Sequence, residues 1–293
     1  MLINEVCKIA NLTKKAIEYY MEQSLIYPAV LDNGYRDFSQ SDVERLKRIS
    51  LFRKLGLSVQ DIKAVLEDET NDSLQKIAIQ KDLNMQREQA KKVVLDKLCR
   101  GQSHSDITAD LEAIDLNASI TEKLLEAFPG YYGRFICLHF ARFLNLPITT
   151  EEERQAYSEV VAFLDNAPSL VFPEEVQTFL DESTNGYSPD AINVLLESVK
   201  RSIENPEGFL LENKDALERY IGFRQSDEYK NSPLRKTQAL LKEFNSSSGY
   251  YDSFIPAMRR LSKSYAEYSQ QMEIANEKLL SQYPEILQMM GGE

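Results

Sequence analysis

Apolar positions along this chain recur with the 3.6-residue period of helices, and little of it alternates as strands do. Between Thr13 and Gln23, Ala16, Ile17 and Tyr20 make one inward stripe while Lys14, Lys15 and Glu18 point outward, and the Thr13 hydroxyl can cap the first turn. Residues 28–38 hold the turn signal Asn33-Gly34 and predict a small hairpin, with Tyr35 and Arg36 on its returning strand. A helix capped by Ser41 or Ser39 follows, with Val43, Leu46, Ile49, Leu51 and Leu55 as its core face and Gly56 just past its end. Ser58 with Asp61 is a capping box leading into Ile62, Val65 and Leu66, and Cys7 reads as core of the first helix. Residues 73–99 contain no Gly or Pro and predict one long helix, apolar at Leu74, Ile77, Leu83, Val94, Leu95 and Leu98 but polar from Gln86 to Lys92. Beyond Ser103, helical segments are expected near 107–128, 131–145, 150–165, 173–184, 188–204, 207–225, 233–245 and 250–283. Their starts are marked by Ser188-Pro189, Asn205-Pro206 and Ser232-Pro233 and by Thr150 with Glu153. The expected fold class is mainly all-α with one small β-wing.

At 293 residues and 43% hydrophobic content, two packed domains are the default. The division expected is 1–70, a helical linker at 71–102, and 103–293. The chain has 34 Lys+Arg against 46 Asp+Glu, which by itself argues against an anionic partner. The distribution reverses that argument for the first region: residues 1–66 hold 10 basic and 8 acidic residues, a balance of +2, leaving 24 and 38, a balance of −14, for the rest. Local clusters, not global charge, neutralise phosphates, and Arg36, Arg45, Lys47, Arg48, Arg53 and Lys54 lie close together in sequence. Lys47 and Arg48 also fit a plain solvated helix face. The polar N-terminus does not read as a signal peptide, no apolar run is long enough for a membrane span, and three cysteines without regular spacing suit a reducing cytoplasm.

A helix opening with Lys14 and Lys15 after a tight turn suits the major groove of DNA, and a phenol and a guanidinium on a wing suit phosphates. The ordered string INEVCKIA, T-x-x-A-I-x-Y-Y, L-I-x-P, N-G-Y-R-D-F, D-V-E-R-L and L-G-L-S-x-x-D-I-K, spanning about the first 70 residues, resembles the winged helix-turn-helix of the MerR family of transcription regulators. That resemblance implies a homodimer joined through an antiparallel coiled coil at 71–102 and bound to double-stranded promoter DNA. It also implies a deformed duplex that realigns the promoter for RNA polymerase. By position it implies DNA contacts from Thr13, Lys14, Lys15, Glu18, Tyr19, Tyr20, Tyr35, Arg36 and Arg53, with one of the tyrosine pair facing DNA and the other packing. Glu18 departs from the family, where arginine is common, and so accepts from a cytosine amino group or pairs with Lys14 or Lys15.

Residues 103–293 resemble no family by their pattern and read as a helical effector domain. Aromatic and apolar residues crowd from Phe128 to Leu144, and again at Tyr250, Tyr251 and Phe254. Tyr131, Tyr132, Phe135, Tyr250 and Tyr251 are therefore candidates for an effector pocket suited to a planar or cationic organic molecule, against the alternative that they are ordinary core. A metal- or thiol-responsive reading rests on Cys99 with His104 and on Cys137 with His139, but the latter two, two apart on a helix, point to different sides. Neither a metal nor a cofactor is expected. With two histidines and no nucleophile elbow, phosphate loop or zinc-hydrolase motif, catalysis is not expected either. A third reading makes the acidic helical region a surface for a protein partner.

Overall fold

The computed structural model describes residues 1–68, 70–144, 148–184 and 187–286, and the chain divides into two compact units, Met1–Ile77 and Ala78–Glu293. Secondary structure is helical apart from one two-stranded ribbon among the described residues, the mainly all-α class with a β-wing that the hydrophobic period predicts.

The first unit comprises α1 (Ile3–Ala10), α2 (Lys14–Glu22), the ribbon β1 (Ala29–Val30) and β2 (Arg36–Asp37), α3 (Gln40–Lys54), α4 (Val59–Glu67) and the start of α5 (Asp72–Cys99). Local chemistry sets its boundaries. Thr13 accepts from the Ala16 amide, Ser39 with Asp42 and Ser58 with Asp61 form capping boxes, and the ribbon reverses at Gly34, whose φ of 79° suits glycine. Ser39, not Ser41, is the cap of α3. The core joins Val6, Ile17, Tyr20, Leu25, Ile26, Phe38, Val43, Leu46, Ile49 and Ile62, each such aliphatic side chain contributing roughly 1.5–3 kcal/mol by burial, while Cys7 packs at its edge. Leu51 and Leu55 correct the expectation for α3: both are exposed, and Ser50 and Phe52 are buried instead. At about 100° per residue, Leu51 and Leu55 fall on the side of the helix away from Leu46 and Ile49.

Asp68 anchors the start of α5. It accepts from the Thr70 amide and hydroxyl at 2.7 and 2.6 Å and from the Ser73 amide at 2.6 Å. Burial opposes its charge, but these bonds outweigh it and hold the carboxyl down at about 2.

The second unit continues α5 and adds α6 (His104–Ala127), α7 (Gly130–Ala141), α8 (Glu151–Asn166), α9 (Glu174–Thr184), α10 (Pro189–Glu204), α11 (Pro206–Glu212), α12 (Lys214–Gln225), α13 (Asp227–Lys230), α14 (Pro233–Ser247), α15 (Ile255–Leu261) and α16 (Lys263–Gln282). Prolines at the first helical position start α10, α11 and α14, and Thr150 with Glu153 boxes the start of α8. Two expected helices are broken. The segment 207–225 divides at Asn213, whose side chain and amide both donate to the Phe209 carbonyl. The segment 250–283 opens with a π-helical turn at Tyr250–Phe254 and breaks at Ser262. Ser262 caps α16 at the Tyr265 amide and donates 2.7 Å to the carbonyl of Phe143, a tertiary bond that holds the break in place. The expected end of 131–145 at Asn145 lies outside the described residues. At Gly133, an added Cβ would lie 2.1 Å from the Phe128 carbonyl oxygen, so only glycine lets α7 turn this tightly after Phe128. Phe140, Phe254, Met258, Ile120, Leu124 and Ile192 lie at the centre of this unit's core. Among the described residues, no helix is long and apolar enough to cross a membrane.

Candidate nucleic-acid interface

In the first unit, α2 turns Ile17 and Tyr20 into the core and leaves Thr13, Lys14, Lys15, Glu18 and Tyr19 exposed on its other side. Tyr20 is 7% exposed and Tyr19 44%, with their rings 5.9 Å apart. Tyr20 is thus the packing member of the pair and Tyr19 the exposed one. Glu18 sits 3.8 Å from the Lys14 ammonium, whereas Lys15 has no ion-pair partner among the described residues. Among the described residues Lys15 is thus an unpaired cation at the N-terminal end of the helix, where side chains can reach base edges.

The ribbon pairs Ala29 with Asp37 and Val30 with Arg36, and the Asn33 side chain accepts from the Tyr35 amide at 3.1 Å. Tyr35, 64% exposed, stands at its tip. Arg36 donates through Nη1 to the Met21 sulfur at 3.0 Å, a contact that fixes the wing arginine beside α2. Met21 had no signal in the sequence pattern. Two other basic residues are already committed to the fold: Arg45 donates to the Leu25 carbonyl at 2.6 Å and Arg53 to the Leu57 carbonyl at 2.6 Å. Arg53 therefore closes the turn after α3 with one arm of its guanidinium. Lys47 is held by Glu44 at 2.8 Å.

In the second unit, the five aromatic candidates are divided between two neighbourhoods. Tyr131 lies edge-on to Tyr187 at 5.7 Å and 6.2 Å from Phe135. Tyr132 donates to Asn245 at 3.4 Å, near Tyr250, which stacks on Phe254 and meets Tyr251 at 5.4 Å. Tyr250 is buried and Tyr131, Tyr132 and Phe135 are half-buried against the core, while Tyr251 is exposed. A cavity of about 130 Å³ lies instead along α5 and α6, and none of the five lines it.

Cys99 and His104 are exposed, Cys7 is half-buried, and among the described residues no three His, Cys, Asp or Glu side chains converge as a metal site. Cys137 is fully buried, donates to the Thr121 carbonyl at 3.4 Å, and is pushed up by burial to about 12. At pH 8, Cys99, exposed in the isolated protomer, is expected to react with a thiol reagent first. Cys137 is expected to react roughly a thousandfold or more slowly, its thiolate fraction being suppressed, and to become reactive only on unfolding. A Cys137 that reacts in the native protein would contradict this burial.

A family model described as "MerR HTH family regulatory protein" matches residues 1–69. The chain is 25% identical over 157 residues to the HTH-type transcriptional activator mta of Bacillus subtilis, covering 53% of this chain and 60% of that protein. It is 37% identical over 67 residues to the HTH-type transcriptional regulator CueR of Vibrio cholerae, covering 22% of this chain and 48% of that one. To the HTH-type transcriptional regulator ZntR of Escherichia coli it is 31% identical over 132 residues, covering 40% of this chain and 94% of that regulator. The chain thus spans only about half the length of the first two relatives but nearly the whole of the third. On the match to almost all of ZntR and on the helix, wing and capping pattern of its first unit, this chain belongs to the MerR family of helix-turn-helix regulatory proteins.

Proposed function

We propose that this chain binds promoter DNA as a homodimer and regulates transcription in response to a small organic effector taken up by the second unit. The observation that carries the DNA reading is the division of α2 between a packed face at Ile17 and Tyr20 and an exposed face at Lys14, Lys15, Glu18 and Tyr19, with Arg36 fixed alongside at Met21. The N-terminal turn of α2 enters the major groove, and Tyr35 and Arg36 hold flanking phosphates. The duplex is deformed between the two half-sites so that RNA polymerase meets realigned promoter elements.

Dimerisation is proposed through α5. Met85, Glu88, Lys92, Leu95 and Cys99 recur at spacings of three and four on one face; Met85 and Leu95 are 67% and 57% exposed, and Cys99 and Lys92 are also exposed. An antiparallel pairing about a twofold axis level with Ala90 sets Met85 across from the partner's Leu95 and Glu88 across from the partner's Lys92. One register thus matches apolar with apolar and acid with base.

The test is fluorescence polarisation of the purified protein with its own upstream DNA against a scrambled duplex, across a salt series. Tighter, steeply salt-dependent binding to the upstream DNA is expected. Arg36→Ala is expected to weaken binding to both duplexes by about tenfold and to lower the salt slope by about one per protomer, while Lys15→Ala changes the preference between them. Equal weak binding of both duplexes by the unaltered protein would sink the reading.

A further inference from the structure

A cavity of about 130 Å³ in the second unit is bounded on α5 by Gln80, Leu83, Asn84 and Arg87 and on α6 by Asn117, Thr121 and Glu122. It lies on the side of α5 away from Met85, Lys92 and Leu95, so a dimer formed through that outer face leaves it uncovered. Arg87 is fixed across the two helices by its 2.5 Å bond to Asp115, and its Nε is buried with no hydrogen-bond partner among the described residues. Glu122, half-buried in the opposite wall, has no ion pair among the described residues. One wall therefore carries a guanidinium, tied at Nη2 to Asp115, and the other a carboxylate with no ion pair among the described residues, with the amides of Gln80 and Asn84 nearby and Leu83, Ala118, Ala141 and Leu144 as apolar lining.

We infer that this cavity binds a small zwitterion of α-amino-acid type, its carboxylate accepting from Arg87 and its ammonium paired with Glu122. A simple anion would meet the like charge of Glu122, and a simple cation would leave the Arg87 guanidinium with no acceptor beyond Asp115. An apolar occupant would meet neither the guanidinium nor the carboxylate. The volume is close to that of an engineered cavity of about 150 Å³ that holds benzene, and so accommodates an occupant of about six to nine non-hydrogen atoms, the range from alanine to leucine. A hydrocarbon side chain of that size rests on the leucine and alanine floor. As an effector site, the cavity rests on the regulator reading above; as a ligand site, it does not. Because α5 is both a wall of the cavity and the proposed dimer helix, a ligand that bridges α5 to α6 favours whichever dimer state holds Arg87 and Glu122 at the matching separation.

The experiment is calorimetric titration of the full chain, without DNA, with glycine, alanine, valine, threonine, proline and leucine in turn. Each is then repeated as its N-acetyl and its carboxamide derivative. At least one amino acid is expected to bind, with affinity reduced about tenfold or more by either derivative, by Arg87→Gln and by Glu122→Gln. Glu122→Gln removes a group with no ion pair among the described residues, so its effect reads the ligand even if Arg87→Gln loosens the contact with Asp115. Failure of all six to bind, binding unchanged in Glu122→Gln, or equal binding of the N-acetyl form would overturn the proposal. The same preparation is run in the promoter polarisation assay: DNA binding without amino-acid binding removes this site alone, and amino-acid binding without DNA binding removes only the regulator reading.

Discussion

Lys92→Glu is expected to weaken the homodimer on the order of tenfold to a hundredfold, and adding Glu88→Lys to the same chain is expected to restore most of the loss. In the antiparallel register about Ala90, a glutamate at 92 faces the partner's Glu88, and the twofold axis makes the repulsion occur twice. Each exposed pair is worth about 0.2–1 kcal/mol when attractive and costs a similar amount when reversed, so two reversals sum to about 1–3 kcal/mol. Glu88 already has Lys91 within 3.6 Å on its own helix, which takes up part of the change. Lysine and glutamate have nearly equal helix propensities, so α5 itself stays folded in both variants. Sedimentation equilibrium at two ionic strengths measures the effect, which shrinks as salt screens the pair. A single variant that dimerises like the parent, or a double variant no better than the single, sinks this register. Promoter binding falls in step with dimerisation, because two half-sites are engaged by one dimer.

What was legible in the sequence was local. Thr13, Ser39, Ser58 and Thr150 each satisfy an amide within three residues, and the prolines at 189, 206 and 233 fix helix starts by their own φ, so those boundaries needed no tertiary information. The wing was legible because Asn33-Gly34 chooses its turn. The break at Ser262 was not, because its decisive bond runs to Phe143, 119 residues away. Nor were the roles of Arg45 and Arg53, which a count of basic residues groups with Lys15 although each donates to a backbone carbonyl. Tyr19 and Tyr20 were separable only as a pair: one of two adjacent helical residues had to face inward, and the core at Ile17 selects Tyr20. The wall pair Arg87 and Glu122 gave no signal, being 35 residues apart on two helices that each read as ordinary amphipathic segments.

Two faces of α5 therefore carry different proposed work. The outer stripe from Met85 to Cys99 is exposed in the protomer, and the inner side is tied to α6 by Arg87 with Asp115 and by Lys97 with Asp110 at 2.7 Å. A helix loaded on both sides transmits a change in its inner contacts only if the dimer has two arrangements that differ in those contacts. Dimerisation measured with and without amino acid tests for that difference, since linkage makes any effect of ligand on the dimer equal to the effect of the dimer on ligand.

Acidification from pH 6.5 to 4 is expected to remove up to about 3 kcal/mol from the stability of the second unit, and His139→Phe is expected to flatten that slope. His139 on α7 lies among Phe135, Phe140, Phe143, Tyr265 and Tyr268, with ring centres 4.9–6.4 Å away. Burial, and then the nearby Arg142 guanidinium, push its imidazole down to about 4. The folded imidazole thus stays neutral where the unfolded one takes a proton at its ordinary value near 6.5. A depressed folded value means that the stabilisation is complete above pH 6.5 and is lost as pH falls toward 4; below that both states are protonated and the slope ends. Tyr265 and Tyr268 are raised by burial and do not titrate in this window. Urea unfolding followed by tyrosine fluorescence at fixed protomer concentration reads the difference in slope between parent and His139→Phe, which is independent of any constant packing change the substitution brings. Equal slopes between pH 6.5 and 4 would mean that acid water reaches the imidazole in the folded protein and that the aromatic cluster around α7 opens more readily than its packing implies.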